Sequence, residues 1–158
     1  DRRRCIHVAA SVIRSYTHRS LDEPERNIGR LAALQAYEQA GLGPEDMDVA
    51  EVHDASAMGE IIQAENLGFV PLGQAGPAAE RGEFSLGGRI PINPSGGLES
   101  KGHPLGATGI AQLYELVTQL RGEAGARQVE GARHAIQENG GGMLGIEEAA
   151  VAIHILSR

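Results

Sequence analysis

The chain has 158 residues, 41% of them hydrophobic and 22% charged, which is enough apolar side chain for the core of one soluble domain. A net charge of −7 argues against a nucleic-acid surface or a lysine-rich anchor for anionic membranes, and no run approaches the ~20 apolar residues of a membrane span. A single cysteine, Cys5, leaves no internal disulfide framework and no multi-cysteine zinc site, so a reducing, cytoplasmic setting is expected.

The chain opens at Asp1 rather than Met, as a piece of a longer protein would, and the arginine run Arg2-Arg3-Arg4 leads into no signal-peptide apolar stretch. Residues 4–13, small and β-branched, predict a first strand, with Cys5 as a core side chain. Residues 14–26 are polar, contain Pro24 and predict a loop. A helix is expected over 27–40, with Ile28, Leu31, Ala32, Leu34, Gln35 and Ala36 at mixed three and four spacing and Gly41 as its stop. After a turn at Gly43-Pro44-Glu45-Asp46 comes a short strand at 49–53, then a helix over 57–67 ended by Gly68. Residues 68–104, dense in Gly and Pro, predict an ordered functional loop without a helix. The strongest helical pattern runs from Leu105 to Leu120, with Ile110, Leu113, Val117 and Leu120 as its apolar stripe. Residues 132–137 and 149–156 predict two strands around a glycine turn, free to pair antiparallel. The order βαβα, loop, αββ implies a layered α/β domain with a mixed sheet.

Three segments could carry chemistry. In Gly102-His103-Pro104, Pro104 suits the first helical position, which puts His103 at the helix cap. The positive helix end would keep that imidazole neutral at pH 7, while Gly102 and Gly106 leave room for a ligand. A capping histidine and a functional one are both open at this level. His53-Asp54-Ala55-Ser56 lies at a strand end, where ligands often bind in α/β sheets, although Asp54 or Ser56 could simply cap the next helix. Glu138-Asn139-Gly140-Gly141-Gly142 could form a nest of backbone N–H groups or a plain hairpin turn, and it is no phosphate-binding Walker loop. His7, His18, His134 and His154 show no metal-ligand spacing, and His7 and His154 are expected as packed or edge histidines. Lys101, the one lysine, is either a phosphate contact or a solvated charge.

These strings, with Asn93-Pro94-Ser95-Gly96-Gly97 and the run from Gly102 to Gly109, resemble the C-terminal half of a thiolase. The likeness is greatest to the lipid-transfer or sterol-carrier type of that superfamily, and it places residues 1–158 in one thiolase C-terminal domain. The resemblance implies an αβα layered fold and an acyltransferase that makes or breaks a carbon–carbon bond beside an acyl-CoA thioester. It implies that His103 activates a nucleophile and shares an oxyanion hole, that His53 serves the same hole, and that Gly141 donates a backbone N–H to a second one. The acid/base cysteine found in the family is replaced: Ala55 fills one of its positions, and Asn139 or Glu138 the other. Ser56 stands where the family has Phe, which implies a looser acyl pocket, and Gly102 borders the substrate. The nucleophilic cysteine belongs to an N-terminal half that this chain lacks. The implied partners are acyl-CoA, that nucleophile-bearing half, an OB-fold zinc-ribbon subunit, and further copies in a homo-oligomer, without nucleic acid, membrane, metal or bound cofactor. An aldolase of the same family, or a non-catalytic acyl-CoA or lipid-binding subunit, is the alternative.

Overall fold

A computed structural model describes residues 4–158; Asp1, Arg2 and Arg3, which hold most of the arginine run, lie outside the described residues. At its centre is a mixed sheet in the order β1-β4-β3-β2, formed by His7–Ser15 (β1), Val49–Glu51 (β2), His134–Leu144 (β3) and Glu147–Ser157 (β4). β3 and β4 make an antiparallel hairpin, β1 runs antiparallel along β4, and β2 runs parallel to β3.

Strand alternation sorts the side chains onto two faces. Ile136, Val151, Ile153 and Ile155 pack on one face against α1 (Ile28–Ala40) and α2 (Ala57–Asn66). Ala135, Leu156 and Val49 turn the other way, onto Leu116 and Leu120 of α5 (Thr108–Arg121). Each buried isoleucine contributes about 1.5–3 kcal/mol by leaving water. The helix limits follow local chemistry. The Asn27 side chain accepts from Gly29 N to start α1, the Ser56 hydroxyl accepts from Gly59 N to start α2, and α1 and α5 end at Gly41 and Gly122 in the left-handed region.

The differences from the sequence pattern are local. β1 begins at His7, so Cys5 is exposed rather than core. The polar stretch after it is held, not loose. Buried Glu147 accepts from Thr17 N and Oγ1, from Arg19 Nε and from Ile28 N. Burial pushes the Glu147 carboxyl up, but those hydrogen bonds outweigh it and leave the group below its usual range. Residues 68–104 are not helix-free: α3 (Ala75–Glu80) and α4 (Gly97–Lys101) lie there, each too short to show a period. Phe84, Ile90 and Ile92 of this stretch enter the core.

Two further expectations are corrected. α5 starts at Thr108, because the N–H groups of Ala107 and Thr108 both bond back to the Pro104 carbonyl and close a separate turn first. His103 is therefore not a helix cap, and the helix-end argument for its neutrality falls away. The glycine run 140–142 is strand, not turn; the hairpin reverses at Gly145-Ile146.

Candidate active site

β2 and the segment that returns beside it carry two of the three motifs. Asn93 N bonds to Ala50 O at 2.8 Å, and Asn93 Oδ1 accepts from Val52 N at 2.8 Å. Buried Glu51 accepts from Ser95 N at 3.1 Å and from Ser95 Oγ at 2.7 Å. Lys101, itself exposed, donates to Ser95 Oγ and lies 3.7 Å from Glu51 Oε2, so it offsets the charge of that buried carboxylate. Asp54, also buried, accepts from Leu98 N at 2.7 Å and Glu99 N at 3.4 Å, at the start of α4. The loop after β2 and the loop before His103 are thus stitched together by two buried carboxylates.

This brings His53 and His103 face to edge, with ring centroids 4.9 Å apart and planes at 88°. His103 Nδ1 lies 2.7 Å from Thr108 Oγ1, which fixes the ring and leaves Nε2 as its free edge. His53 Nδ1 accepts from Asn139 Nδ2 at 3.1 Å, so neutral His53 carries its hydrogen on Nε2. Burial first, and the neighbouring His103 second, hold His53 below its usual value. Both rings open onto a cavity of about 460 Å³ that is also walled by Asn139, Gly141, Leu113 and His154. A volume of this size suits a small-molecule site. It sets imidazoles against an apolar wall, an arrangement suited to an oxygen that gains charge.

A smaller cavity of about 290 Å³ adjoins it at His53 and Gly140, lined by Ala55, Ile62, Gln63, Met143 and Glu148. Of the other residues singled out in the sequence, Ser56 caps α2 instead of facing this space, and neither Ser56 nor Gly102 borders either cavity.

Asn139 and Glu138 part company because neighbouring strand residues face opposite ways. Asn139 reaches the large cavity, whereas the Glu138 carboxyl is fully buried on the other side, where it accepts from His53 N at 2.9 Å through Oε2. Among the described residues its Oε1 has no partner. Burial pushes Glu138 up to about 8; the bond from His53 N opposes this, and the charges of Glu148 and Asp54 reinforce it. Burial likewise raises Glu51 to about 7, against the bonds from Ser95 and the charge of Lys101.

The pH dependence follows from these directions. A carboxyl raised on folding contributes stability that is fully present below its unfolded value, near 4.5, and is lost as pH rises through its folded value. Urea unfolding is expected to show a less stable protein at pH 9 than at pH 5. Glu138→Gln should abolish the larger share of that difference, since Glu138 is raised further than Glu51. An unchanged pH slope in this variant would contradict a protonated Glu138.

Two features of the site escaped the sequence reading. His154 faces the cavity with Ala152, and Gln112 and Gln137 sit behind it in one hydrogen-bonded row. Period-two alternation along β4 carried the signal, since buried Val151, Ile153 and Ile155 leave Ala152 and His154 to the opposite face.

The family model described as "Thiolase C-terminal domain-like" matches residues 10–158. Rat sterol carrier protein 2 is 54% identical over 125 residues, covering 79% of this chain and 22% of that protein. Acetyl-CoA acetyltransferase of Methanothermobacter thermautotrophicus is 53% identical over 127 residues, covering 80% of this chain and 32% of that protein. Among solved structures, an Ltp2-ChsH2(DUF35) aldolase superposes with a TM-score of 0.79 over 96% of this chain and 39% of that one, at 24% identity, a likeness of fold. The chain spans about a fifth to a third of the length of these curated relatives.

Proposed function

The chain belongs to the thiolase family as a thiolase C-terminal domain, and from that premise we propose that in the complete protein it supplies half of an acyl-CoA site. That site makes or breaks a carbon–carbon bond beside the thioester carbonyl, as an acyltransferase. The observation that carries the reading is the pair His53 and His103, face to edge at 4.9 Å on a cavity backed by Asn139 and Gly141.

In this reading His53 Nε2–H and the Gly141 backbone N–H donate to oxygens that gain charge, and His103 Nε2 faces the attacking thiol. Among the described residues the sole cysteine, Cys5, is exposed ahead of β1 and borders neither cavity, so the nucleophile comes from outside this chain. Leu105, Ile110 and Tyr114 stand 69–80% exposed beside the cavity and around the start of α5, on the surface that a nucleophile-bearing half would cover. A homo-oligomer and an OB-fold zinc-ribbon subunit are further partners in this reading. Acyl-CoA is substrate, and no metal or resident cofactor takes part. No helix of the described residues is long and apolar enough to cross a membrane.

One observation favours a second reading. Ala55 and Asn139, at the positions where the resemblance expects a thiol, cannot shuttle a proton, which suits an aldolase acting on a β-hydroxyacyl-CoA. The test is an assay of the complete protein on acetoacetyl-CoA with free CoA, and separately on 3-hydroxybutyryl-CoA. Thiolysis of the first is expected. Cleavage of the second alone would move the assignment to a lyase, and saturable acyl-CoA binding without turnover of either would reduce the domain to a binding module.

A further inference from the structure

β4 turns His154 onto the α5 side of the sheet, where it borders the large cavity at partial exposure. Its Nδ1 lies 2.6 Å from Gln137 Oε1. The direction of that bond is set three residues away. The Glu138 carbonyl can only accept, so the group that Gln112 presents to it at 2.9 Å is the amide nitrogen. Gln112 Oε1 is then an acceptor, and Gln137 Nε2 donates to it at 2.8 Å. Gln137 must therefore show its oxygen to His154, and His154 Nδ1 must carry the hydrogen. Both glutamines are 1% exposed, so neither amide has room to exchange its ends with water.

A neutral imidazole with hydrogen on Nδ1 has its lone pair on Nε2, the ring edge turned away from Gln137. No described residue bonds to that nitrogen. Burial lowers His154 from its usual value, which keeps the lone pair free at neutral pH. His53 has the opposite character: Asn139 occupies its Nδ1 and leaves it a donor at Nε2. The cavity thus sets His53, built to donate, against His154, built to accept.

Carbon–carbon chemistry beside a thioester needs a group that removes a proton from the α-carbon. Resting on the acyl-CoA reading, we propose that His154 Nε2 is that proton acceptor. The Cα–H bond breaks, the proton forms the Nε2–H bond, and the freed electron pair spreads onto the thioester oxygen as an enolate, which takes a hydrogen bond from His53 Nε2–H. In the reverse direction the imidazolium returns the proton to carbon.

The step can be watched without the rest of the reaction. The complete protein, incubated in D2O with acetyl-CoA or propionyl-CoA, is expected to wash deuterium into the α-position of the acyl group. His154→Gln should slow that exchange at least ~100-fold, the usual scale for a positioned base, while the Kd for acetyl-CoA stays within a factor of about three. Undiminished exchange in His154→Gln overturns the inference and leaves the acyl-CoA reading standing. No exchange by the unmodified protein with either thioester sinks both. Independently of activity and of how the variant folds, a long-range 1H–15N spectrum of the 15N-histidine-labelled protein at pH 7 should show His154 with its hydrogen on Nδ1. A hydrogen on Nε2, or an imidazolium, would overturn the proposal.

Discussion

Replacing His103 by Ala in the complete protein is expected to lower turnover of acetoacetyl-CoA and CoA by at least ~100-fold, the scale of losing one oxyanion donor or base. The ring is held at three points. Gly102 and Pro104 fix its backbone, Thr108 Oγ1 sits 2.7 Å from Nδ1, and the His53 ring stands against it at 88°. Truncation removes the Nε2 edge from the cavity and also releases His53 from one side. The loss should fall on kcat more than on KM, because the lost contact is strongest where charge develops. Thr108→Val keeps the imidazole but frees its Nδ1, and a smaller loss, on the order of tenfold, is expected. Near-normal turnover by His103→Ala would remove His103 from the mechanism and with it the core of the proposed function.

Gly97→Ala is expected to cost about 3 kcal/mol of stability together with loss of the site. Gly97 has φ +59, a conformation that costs an L-residue roughly 1–2 kcal/mol. A Cβ there would fall inside the Asp54 carboxylate. Displacing that buried group strips its bonds from Leu98 N and Glu99 N, and one orphaned buried donor costs about 1–3 kcal/mol. Since Asp54 follows His53 directly and α4 leads to His103, the same displacement moves both imidazoles. Urea unfolding of Gly97→Ala alone and in an Asp54→Ala background separates the causes. The methyl should cost clearly less once the carboxylate is gone, leaving mostly the backbone strain. Equal costs in the two backgrounds would rule out the clash.

Much of the site was legible in one dimension because its parts are contiguous strings. His53-Asp54-Ala55-Ser56 and the run from Asn93 to Gly109 each occupy one loop, and turn residues at fixed offsets announce them. The Ser56 cap, the stop of α1 at Gly41 and the antiparallel pairing of the last two strands were legible for the same reason: each depends on neighbours within a few residues or on simple alternation. What failed were inferences about direction. The stripe predicted for α5 put Ile110 inward, but Ile110 is 69% exposed, and Gln112, Glu115 and Gln119 are buried instead. Those polar residues pass for a solvated face until their partners appear: Glu138 O and Gln137 for Gln112, and Arg127 for Glu115. A hydrophobic period cannot mark a buried face whose polar groups are satisfied by residues up to 26 positions away.

The sequence by itself determined the layered α/β class and the two histidine loops, because composition, period and short motifs are properties of neighbouring residues; the family and its αβα layering came through the resemblance that those motifs carry. Only the tertiary structure decided between Asn139 and Glu138, since a one-residue step along β3 sends one to the cavity and buries the other behind it. It alone set which nitrogen of each imidazole is engaged. The hydrogen of a histidine sits on whichever nitrogen its partner leaves it, and those partners, Asn139 for His53 and Gln137 for His154, are brought across the fold by strand pairing rather than by chain order.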